Sequence, residues 1–237
     1  MPDFLTESLS DAYDDTMLPT PLPADPFPLF QAWFDEAHAK AHQPNPNAMT
    51  VATIDPEGTP SARIVLCKAI HPDPGRVVFY TNYKGRKGRA LAANPHAAVI
   101  FHWDHPDRQV RIEGPVTRSP AEESDAYFKT RAWQSRLGAW ASDQSEPIAS
   151  REKLFEQIEQ RAKELGITKE MLADDTAGDI EIPRPPHWGG FRVWAKRVEL
   201  WCGGTGRVHD RAEWTRELTP AGDEFDAGNW SRTRVQP

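Results

Sequence analysis

The sequence has little cysteine and no long apolar run, and each of these absences excludes a class of protein. Its 237 residues include only two cysteines, Cys67 and Cys202, which lie too far apart in the sequence to form a paired metal-binding motif. No stretch approaches the roughly 18 consecutive apolar residues that a membrane helix needs, and the first residues show no secretory signal. We therefore expect a cytoplasmic protein with free thiols, no metal site and no membrane contact.

Positive charge is also scarce. The chain has 28 lysines and arginines against 35 aspartates and glutamates, which gives a formal net charge of −7 at pH 7. This balance disfavours a general binder of nucleic acids or of anionic membranes. Any anion that the protein holds must therefore be held by a local cluster of basic side chains. The hydrophobic fraction of 38% supplies a core of ordinary size, which excludes a chain disordered throughout.

The chain divides into a short N-terminal segment and one domain. Residues 1–24 are polar, acidic and interrupted by prolines, and we expect them to form a mobile arm. Residues 25–237 contain no internal repeat and no linker, so they are expected to form a single domain. Its first element is a helix, because Asp25 and Pro26 supply a cap and a first-turn proline, and apolar residues then recur at helical spacing up to about Pro44.

Short strand patterns separated by turn residues dominate the rest of the chain. Strands are predicted at 49–54, 62–68, 77–81, 97–103, 109–116, 191–201, 208–215 and 230–235, and helices at 86–93, 120–131 and 150–165. In the strand at 191–201 the apolar alternation slips by one residue, which predicts a bulge. The fold class expected is mainly β with flanking helices (α+β), as an antiparallel barrel with the helices packed outside.

Arg207, His209 and Arg211 form the strongest candidate site, because alternation along a strand would place all three on one face. Two guanidinium groups with an imidazole beside them suit a phosphate or a carboxylate. A solvated strand face with salt bridges is the alternative.

Tyr127, Arg131 and Ser135 are spaced four residues apart, so they would lie along one face of a helix that extends far enough. Two hydroxyls with a guanidinium between them make a receptor for a phosphate monoester. A stripe of side chains that faces solvent is the alternative.

A third, basic set consists of Arg63 and Lys68 around an apolar run, and of Arg86 and Lys87 at the start of a helix. Cationic side chains at a helix N-terminus add to the backbone N–H groups there to form an anion site. A lysine-rich surface turn is the alternative for the second pair.

Further short motifs occur in a characteristic order along the chain. They are Arg63-Ile64-Val65-Leu66-Cys67-Lys68, Phe79-Tyr80-Thr81-Asn82, Arg108-Gln109-Val110, Gly138-Ala139-Trp140, Gln144-Ser145, Trp188-Gly189-Gly190-Phe191-Arg192 and Arg234-Val235-Gln236-Pro237. Together with the three sets above, they resemble the pyridoxamine 5′-phosphate oxidase family. The resemblance extends from about Leu22 to the C-terminus.

The resemblance implies a split β-barrel that forms a homodimer and binds FMN at the subunit interface. The cofactor-binding residues implied by similarity are Arg63, Ile64, Val65, Leu66, Cys67, Lys68, Tyr80, Thr81, Arg86, Lys87, Gln109, Gln144, Ser145, Trp201 and Arg211. The substrate-binding residues implied are Lys68, Tyr127, Arg131, Ser135, Arg207 and His209. Among these, Arg207 and His209 would be catalytic and would lie over the pyridine ring of the substrate.

The activity implied is the FMN-dependent oxidation of pyridoxamine and pyridoxine 5′-phosphates to pyridoxal 5′-phosphate by O2, with release of H2O2. One departure concerns substrate range: the family's Arg-Arg-Glu-Tyr stretch near the N-terminus corresponds here to Ser10-Asp11-Ala12-Tyr13. Two alternatives remain at this point. One is a related flavin oxidase that acts on another ring system, such as a phenazine precursor, and the other is a non-enzymatic protein that binds FMN or pyridoxal phosphate.

Overall fold

A computed structural model describes residues 17–168, 171 and 180–237. The α-helices of this part are α1 (Phe27–Lys40), α2 (Arg86–Ala93), α3 (Ala121–Lys129), α4 (Trp133–Ala141) and α5 (Arg151–Glu164). The strands are β1 (Ala48–Ile54), β2 (Pro60–Leu66), β3 (Ala69–His71), β4 (Arg76–Asn82), β5 (His96–Trp103), β6 (Arg108–Arg118), β7 (Trp188–Trp194), β8 (Arg197–Cys202), β9 (Asp210–Thr215), β10 (Leu218–Ala221), β11 (Glu224–Ala227) and β12 (Ser231–Val235).

The strands form an antiparallel split barrel, which confirms the fold class expected from the sequence. Its main path runs β12-β9-β8-β6-β5-β1-β2, and β3, β4 and β7 complete it. Strand β6 joins the two halves, because its first part pairs with β8 and its last three residues pair with β7. Consequently β2 and β8 are separated by three strands, β1, β5 and β6.

The core lies inside the barrel and under α1. Side chains alternate between buried and more exposed along β1 and β5, as a sheet with one face toward the core requires. Helix α1 covers this face with a stripe at helical spacing that includes Phe27, Phe30 and Trp33. The rings of Phe30 and Phe101 on β5 are 5.1 Å apart. Burial of each such side chain stabilises the fold by about 1.5–3 kcal/mol.

Helices α3, α4 and α5 pack outside the barrel around a second, smaller core. This core includes Phe128 on α3, Leu137 on α4 and Trp188 at the start of β7. Ile180 and Ile182 are also buried in it, so this part of the segment between α5 and β7 is packed. Residues 169, 170 and 172–179 lie outside the described part of the chain.

The predicted strand at 191–201 is two strands rather than one bulged strand. Strand β7 ends at Trp194, and β8 begins at Arg197. The Trp194 carbonyl passes so close to Gly114 that a Cβ there would lie 1.9 Å from its oxygen. The slip in apolar phase therefore marks the point where the chain leaves one half of the barrel for the other. The hairpin of β10 and β11 was not predicted.

The described part of the predicted arm, residues 17–24, is packed rather than free. Leu18 is buried, and its backbone N–H donates to Asp210 Oδ2 at 2.7 Å. The Trp214 indole donates to the Pro23 carbonyl at 2.9 Å. The rest of the arm, which includes the departure at residues 10–13, lies outside the described residues. Among the helices of the described chain, none is long and apolar enough to cross a membrane.

Candidate functional site

Most of the predicted site residues line one polar cavity of about 560 Å³ between β2, β4, α2 and the α3–α4 connection. Its lining residues are Arg63, Ile64, Val65, Leu66, Lys68, Tyr80, Thr81, Lys87, Tyr127, Arg131, Ala132, Ser135, Gln144 and Trp188. All of them except Ala132 and Trp188 were expected at a cofactor or substrate site from the sequence. The cavity therefore brings together side chains from distant parts of the chain.

One end of the cavity carries two half-buried cations. Lys87 Nζ donates to Thr81 Oγ1 at 3.0 Å and to Gln144 Oε1 at 2.7 Å. The acceptors of Arg63 in the described part of the chain are neutral oxygens, among them Thr53 Oγ1 at 2.8 Å. Burial, and then the charge of Arg63, lowers the pKa of Lys87. Within the described residues neither cation pairs with a carboxylate, so this end attracts an anion.

Aromatic rings and the half-buried guanidinium of Arg131 form the other end. The ring of Tyr80 stacks on that of Tyr127, with centroids 4.1 Å apart, and on that of Trp188, with centroids 5.6 Å apart. The Arg131 guanidinium lies 4.6 Å from the Trp188 ring centroid. Its Nη1 atom is buried and has no hydrogen-bond partner among the described residues, and burial lowers the pKa of Arg131. A bound anion would satisfy this nitrogen.

The helix that would carry Tyr127, Arg131 and Ser135 together does not extend far enough. Helix α3 ends at Lys129, and Ser135 belongs to α4. The break arises at Ala132, whose backbone is extended, with φ −54° and ψ 143°. All three residues nevertheless line the cavity, because the chain turns around it between the two helices.

The expectation that Arg207, His209 and Arg211 share one strand face is also wrong. Strand β9 begins only at Asp210, and Arg207 ends a short 3-10 helix with a φ of 66°. Arg207 is exposed, while the half-buried His209 ring lies 4.7 Å from that of Trp201. The glycines at 203, 204 and 206 permit this tight connection, in which the Gly204 N–H donates to His209 Nδ1 at 3.1 Å.

Three paired residues form a row across β6, β8 and β9, which we call the Arg211 row: Gln109, Trp201 and Arg211. Gln109 on β6 pairs with Trp201 on β8, which pairs with Arg211 on β9. Arg211 donates to Glu199 Oε2 at 2.9 Å and to the Gln236 carbonyl at 3.0 Å. Neither this row nor the pair of Arg207 and His209 lines the cavity. The residues predicted for one cofactor therefore occupy two separate places on a single chain.

Three further predicted cofactor residues do not line the cavity. The Cys67 side chain is buried in the core, where its thiol donates to the Ala69 carbonyl at 3.3 Å, so this side chain does not face the cavity. Burial raises the pKa of Cys67 to about 12 and that of Cys202 to about 11. Arg86 is exposed and faces Asp55, and Ser145 is exposed next to Gln144.

The sequence patterns did not single out two site components, Trp188 and Glu123. Trp188 was visible in the Trp-Gly-Gly motif but carried no charge or hydroxyl that suggested a ligand. Glu123 looked like one more acidic residue in the first turn of α3. In the structure it accepts hydrogen bonds from Tyr80 and Arg192. Within the described chain, no group of three or more potential metal-ligating side chains comes together.

Comparison with known proteins identifies relatives over nearly the whole chain. A family model described as pyridoxamine 5′-phosphate oxidase matches residues 34–165. One described as the C-terminal dimerisation region of pyridoxine 5′-phosphate oxidase matches residues 188–237. The pyridoxine/pyridoxamine 5′-phosphate oxidase of Gluconobacter oxydans (strain 621H) is 47% identical over 216 residues, which cover 91% of this chain and 96% of that protein. The protein of the same name from Microcystis aeruginosa is 45% identical and covers 94% of both chains.

Two solved structures share the fold. PhzG from Burkholderia lata 383, in complex with tetrahydrophenazine-1-carboxylic acid, superimposes with a TM-score of 0.74 at 26% identity, over 91% of this chain and 94% of that one. An FMN-binding protein of Nostoc punctiforme, related to pyridoxamine 5′-phosphate oxidase, superimposes with a TM-score of 0.62 at 16% identity, over 87% and 96% of the two chains. The second likeness concerns the fold alone.

Proposed function

Because the chain belongs to the pyridoxamine 5′-phosphate oxidase family, we propose that it oxidises pyridoxamine and pyridoxine 5′-phosphates to pyridoxal 5′-phosphate. FMN is the proposed cofactor, and O2 is the electron acceptor, which is reduced to H2O2. The observation that carries this proposal is the arrangement of cations in the cavity. Arg63 and Lys87 at one end, and Arg131 at the other, carry charge that no carboxylate of the described chain neutralises. Two phosphorylated ligands need two sites with positive charge that is free to pair with a phosphate.

The residues of the first end fit FMN. Lys87 and Arg63 would hold its phosphate, with Thr81 and Gln144 beside them, and the backbone of residues 64–66 would follow the cofactor along β2. When bound, FMN supplies a two-electron acceptor that takes a hydride from C4′ of the substrate and passes the electrons to O2. The protein contributes position and electrostatics.

The second end fits the substrate phosphate. Lys68, Tyr127, Arg131 and Ser135 would surround it, and the unpartnered Nη1 of Arg131 would gain a charged acceptor. His209 accepts the Gly204 N–H at Nδ1, so its neutral ring carries the proton on Nε2, which can donate to the substrate. Arg207 would orient the pyridine ring. We therefore assign Arg207 and His209 the catalytic roles.

A homodimer would bring the two separate groups of residues together. Residues 188–237 match a family dimerisation region, and they contain Trp201, Arg207, His209 and Arg211. Ile64 on edge strand β2 is 71% exposed although it is apolar and lines the cavity, which supports cover by a second chain. In this arrangement the cavity of one protomer is completed by the Arg211 row and the Arg207–His209 pair of its partner.

The second candidate function is oxidation of another ring substrate. The similarity to PhzG, solved with a tetrahydrophenazine carboxylic acid, favours this possibility. The half-buried Arg131, with the neighbouring hydroxyls of Tyr127 and Ser135, favours a phosphorylated substrate instead. If the protein turns over no substrate, the remaining alternative is that it binds FMN or pyridoxal phosphate without catalysing a reaction.

The deciding experiment supplies the FMN-loaded protein with each phosphorylated vitamer in air and follows aldehyde and peroxide together. We expect both products in equal amounts, and at least tenfold lower kcat/KM for pyridoxamine without its phosphate, because a charge-assisted bond contributes about 1.5–3 kcal/mol. The variant Arg131→Leu should lose this discrimination. No aldehyde from either phosphorylated vitamer would refute the proposed reaction.

A further inference from the structure

Glu123 lies directly behind the aromatic wall of the cavity. The Tyr80 hydroxyl and the Ser119 hydroxyl each donate to Glu123 Oε1 at 3.3 Å. Arg192 donates to Glu123 Oε2 through Nε at 2.9 Å and also through Nη2. Arg192 is itself buried on β7 and donates through Nη1 to Glu224 at 2.7 Å. A buried guanidinium thus holds the Glu123 carboxylate from one side. Of its hydrogen-bond partners within residues 17–168, 171 and 180–237, Tyr80 is the one that lines the cavity.

The close approach of Tyr80 to β7 depends on a missing side chain. Tyr80 on β4 pairs with Gly190 on β7. A Cβ at Gly190 would lie 2.9 Å from the Tyr80 ring and 2.3 Å from Ser119 Oγ. The hydroxyls of Tyr80 and Ser119 are the two that donate to Glu123. The glycine therefore lets the ring lie flat beside the strand with its hydroxyl directed at the carboxylate.

The stacked pair of Tyr80 and Tyr127 connects the two ends of the cavity. Tyr80 neighbours Thr81 at the end proposed for FMN, and Tyr127 belongs to the end proposed for the substrate phosphate. The two rings are nearly parallel, with an angle of 18° between their planes. Burial raises the pKa of Tyr80 far above its usual range, and Glu123 raises it further, so the hydroxyl stays protonated and donates. A shift of this hydroxyl would disturb both ends.

We propose that Glu123 is a positioning residue for both ligands: by accepting the Tyr80 hydroxyl it keeps this ring stacked on Tyr127 and so sets the shape of the cavity. The identities of the ligands rest on the proposed function. Glu123 touches neither ligand. Its substitution should therefore act on ligand affinity through Tyr80, and on protein stability through Arg192.

The test compares Glu123→Gln with Glu224→Gln, a matched control that also removes a carboxylate from Arg192 but does not contact Tyr80. In Glu123→Gln the amide oxygen is drawn to Arg192, and the amide N–H₂ then faces the Tyr80 hydroxyl. We expect the Kd for FMN to rise about tenfold, as for loss of one hydrogen bond to a charged group. The KM for pyridoxamine 5′-phosphate should rise as well. Glu224→Gln should change either value by less than about twofold.

A double-mutant cycle separates positioning from stability. Tyr80→Phe alone should weaken FMN binding about tenfold, and adding Glu123→Gln to it should change the affinity no further, while the melting temperature still falls. Equal effects of the two glutamine variants on FMN binding, or a full effect of Glu123→Gln in the Tyr80→Phe background, would overturn the inference. If Glu123→Gln does not fold, unaltered FMN binding by Tyr80→Phe overturns it.

The unsubstituted protein distinguishes this inference from the proposed function. If it binds FMN but oxidises no vitamer, the proposed reaction fails, and the FMN affinities of the variants still decide the role of Glu123. If it binds no FMN, both are wrong.

Discussion

Adjacent residues in one motif can have opposite environments, as Arg86 and Lys87 at the start of α2 demonstrate. Lys87 is half-buried in the cavity and donates to Thr81 and Gln144. The Arg86 side chain is 56% exposed and faces Asp55 at 3.6 Å. Successive helical residues point about 100° apart, so only one of the two can face a cavity on one side of the helix. Their basic character alone does not reveal which one.

The prediction at this scale is that Lys87 and Arg86 contribute unequally to FMN binding. Lys87→Ala should weaken FMN binding by more than about tenfold, because a charge-assisted bond to phosphate inside a cavity contributes about 1.5–3 kcal/mol. Arg86→Ala should weaken it by less than about threefold, since its charge is screened by solvent. Quenching of flavin fluorescence in a titration measures both values. Equal losses would mean that Arg86 turns into the site when the ligand binds.

The two halves of the barrel are tied together by an arginine at the end of β9. Arg216 is buried, and it donates to the carbonyl oxygens of Ala195, Pro74 and Gly75 at 2.8, 2.6 and 3.1 Å. Its guanidinium stacks on the Trp230 ring at 4.1 Å. Burial lowers the pKa of Arg216 to about 10. One side chain thus joins the crossing between β7 and β8 to the turn before β4.

Replacement of this arginine should destabilise the fold without touching the site. We expect Arg216→Met to lower the free energy of unfolding by about 3 kcal/mol, because the carbonyls of Ala195 and Pro74 would lose their arginine donor, at about 1–3 kcal/mol each. The Gly75 carbonyl keeps the Ala195 N–H as a donor. Urea unfolding of the flavin-free protein measures this change. Arg232→Met on β12, where the side chain is exposed, is the control and should cost less than about 0.5 kcal/mol. Similar midpoints for the two variants would contradict this account of Arg216.

At the scale of the whole molecule, one proposed site is built from two distant parts of the sheet. Strand β2 lies at one edge, and the Arg211 row begins on the other side of β1 and β5. Neighbouring strands are about 4.8 Å apart, so a single chain spreads these residues widely. In the proposed homodimer, the row of one protomer would lie beside the cavity of the other.

Mixed dimers test this shared site. Lys87→Ala damages the cavity, and Arg211→Ala damages the row. In a dimer with one chain of each kind, one site combines the damaged cavity with the damaged row. The other site combines the intact cavity of the Arg211→Ala chain with the intact row of the Lys87→Ala chain. Random pairing of equal amounts makes about half of the dimers mixed, which should restore about a quarter of the tight FMN sites of the unsubstituted protein. Flavin retained after gel filtration gives the count. No recovery after subunit exchange would show that each site uses a single chain.

The local pattern of the sequence determined the elements and most of the chemistry. Apolar periodicity predicted α2 at its observed bounds, Arg86–Ala93, and located β1, β4 and β5 within a residue or two. Such patterns work because they report which face of a segment is buried. Spacing and position along the predicted elements also singled out Arg63, Lys68, Lys87, Tyr127, Arg131 and Ser135 as candidates for an anion site. Tyr80, Thr81 and Gln144 followed only from the family resemblance.

Only the tertiary structure decided which residues meet. It placed Arg207 in a turn rather than on a strand, put the Cys67 side chain in the core, and set Trp188 and Glu123 against Tyr80. The burial of Cys67 and the contacts of Tyr80 are not local: Glu123 is 43 residues from Tyr80 in the chain, and their contact depends on how β4, β7 and α3 pack. Periodicity along a segment carries no information about its neighbours in space, because pairing and packing are settled by the free energy of the whole fold.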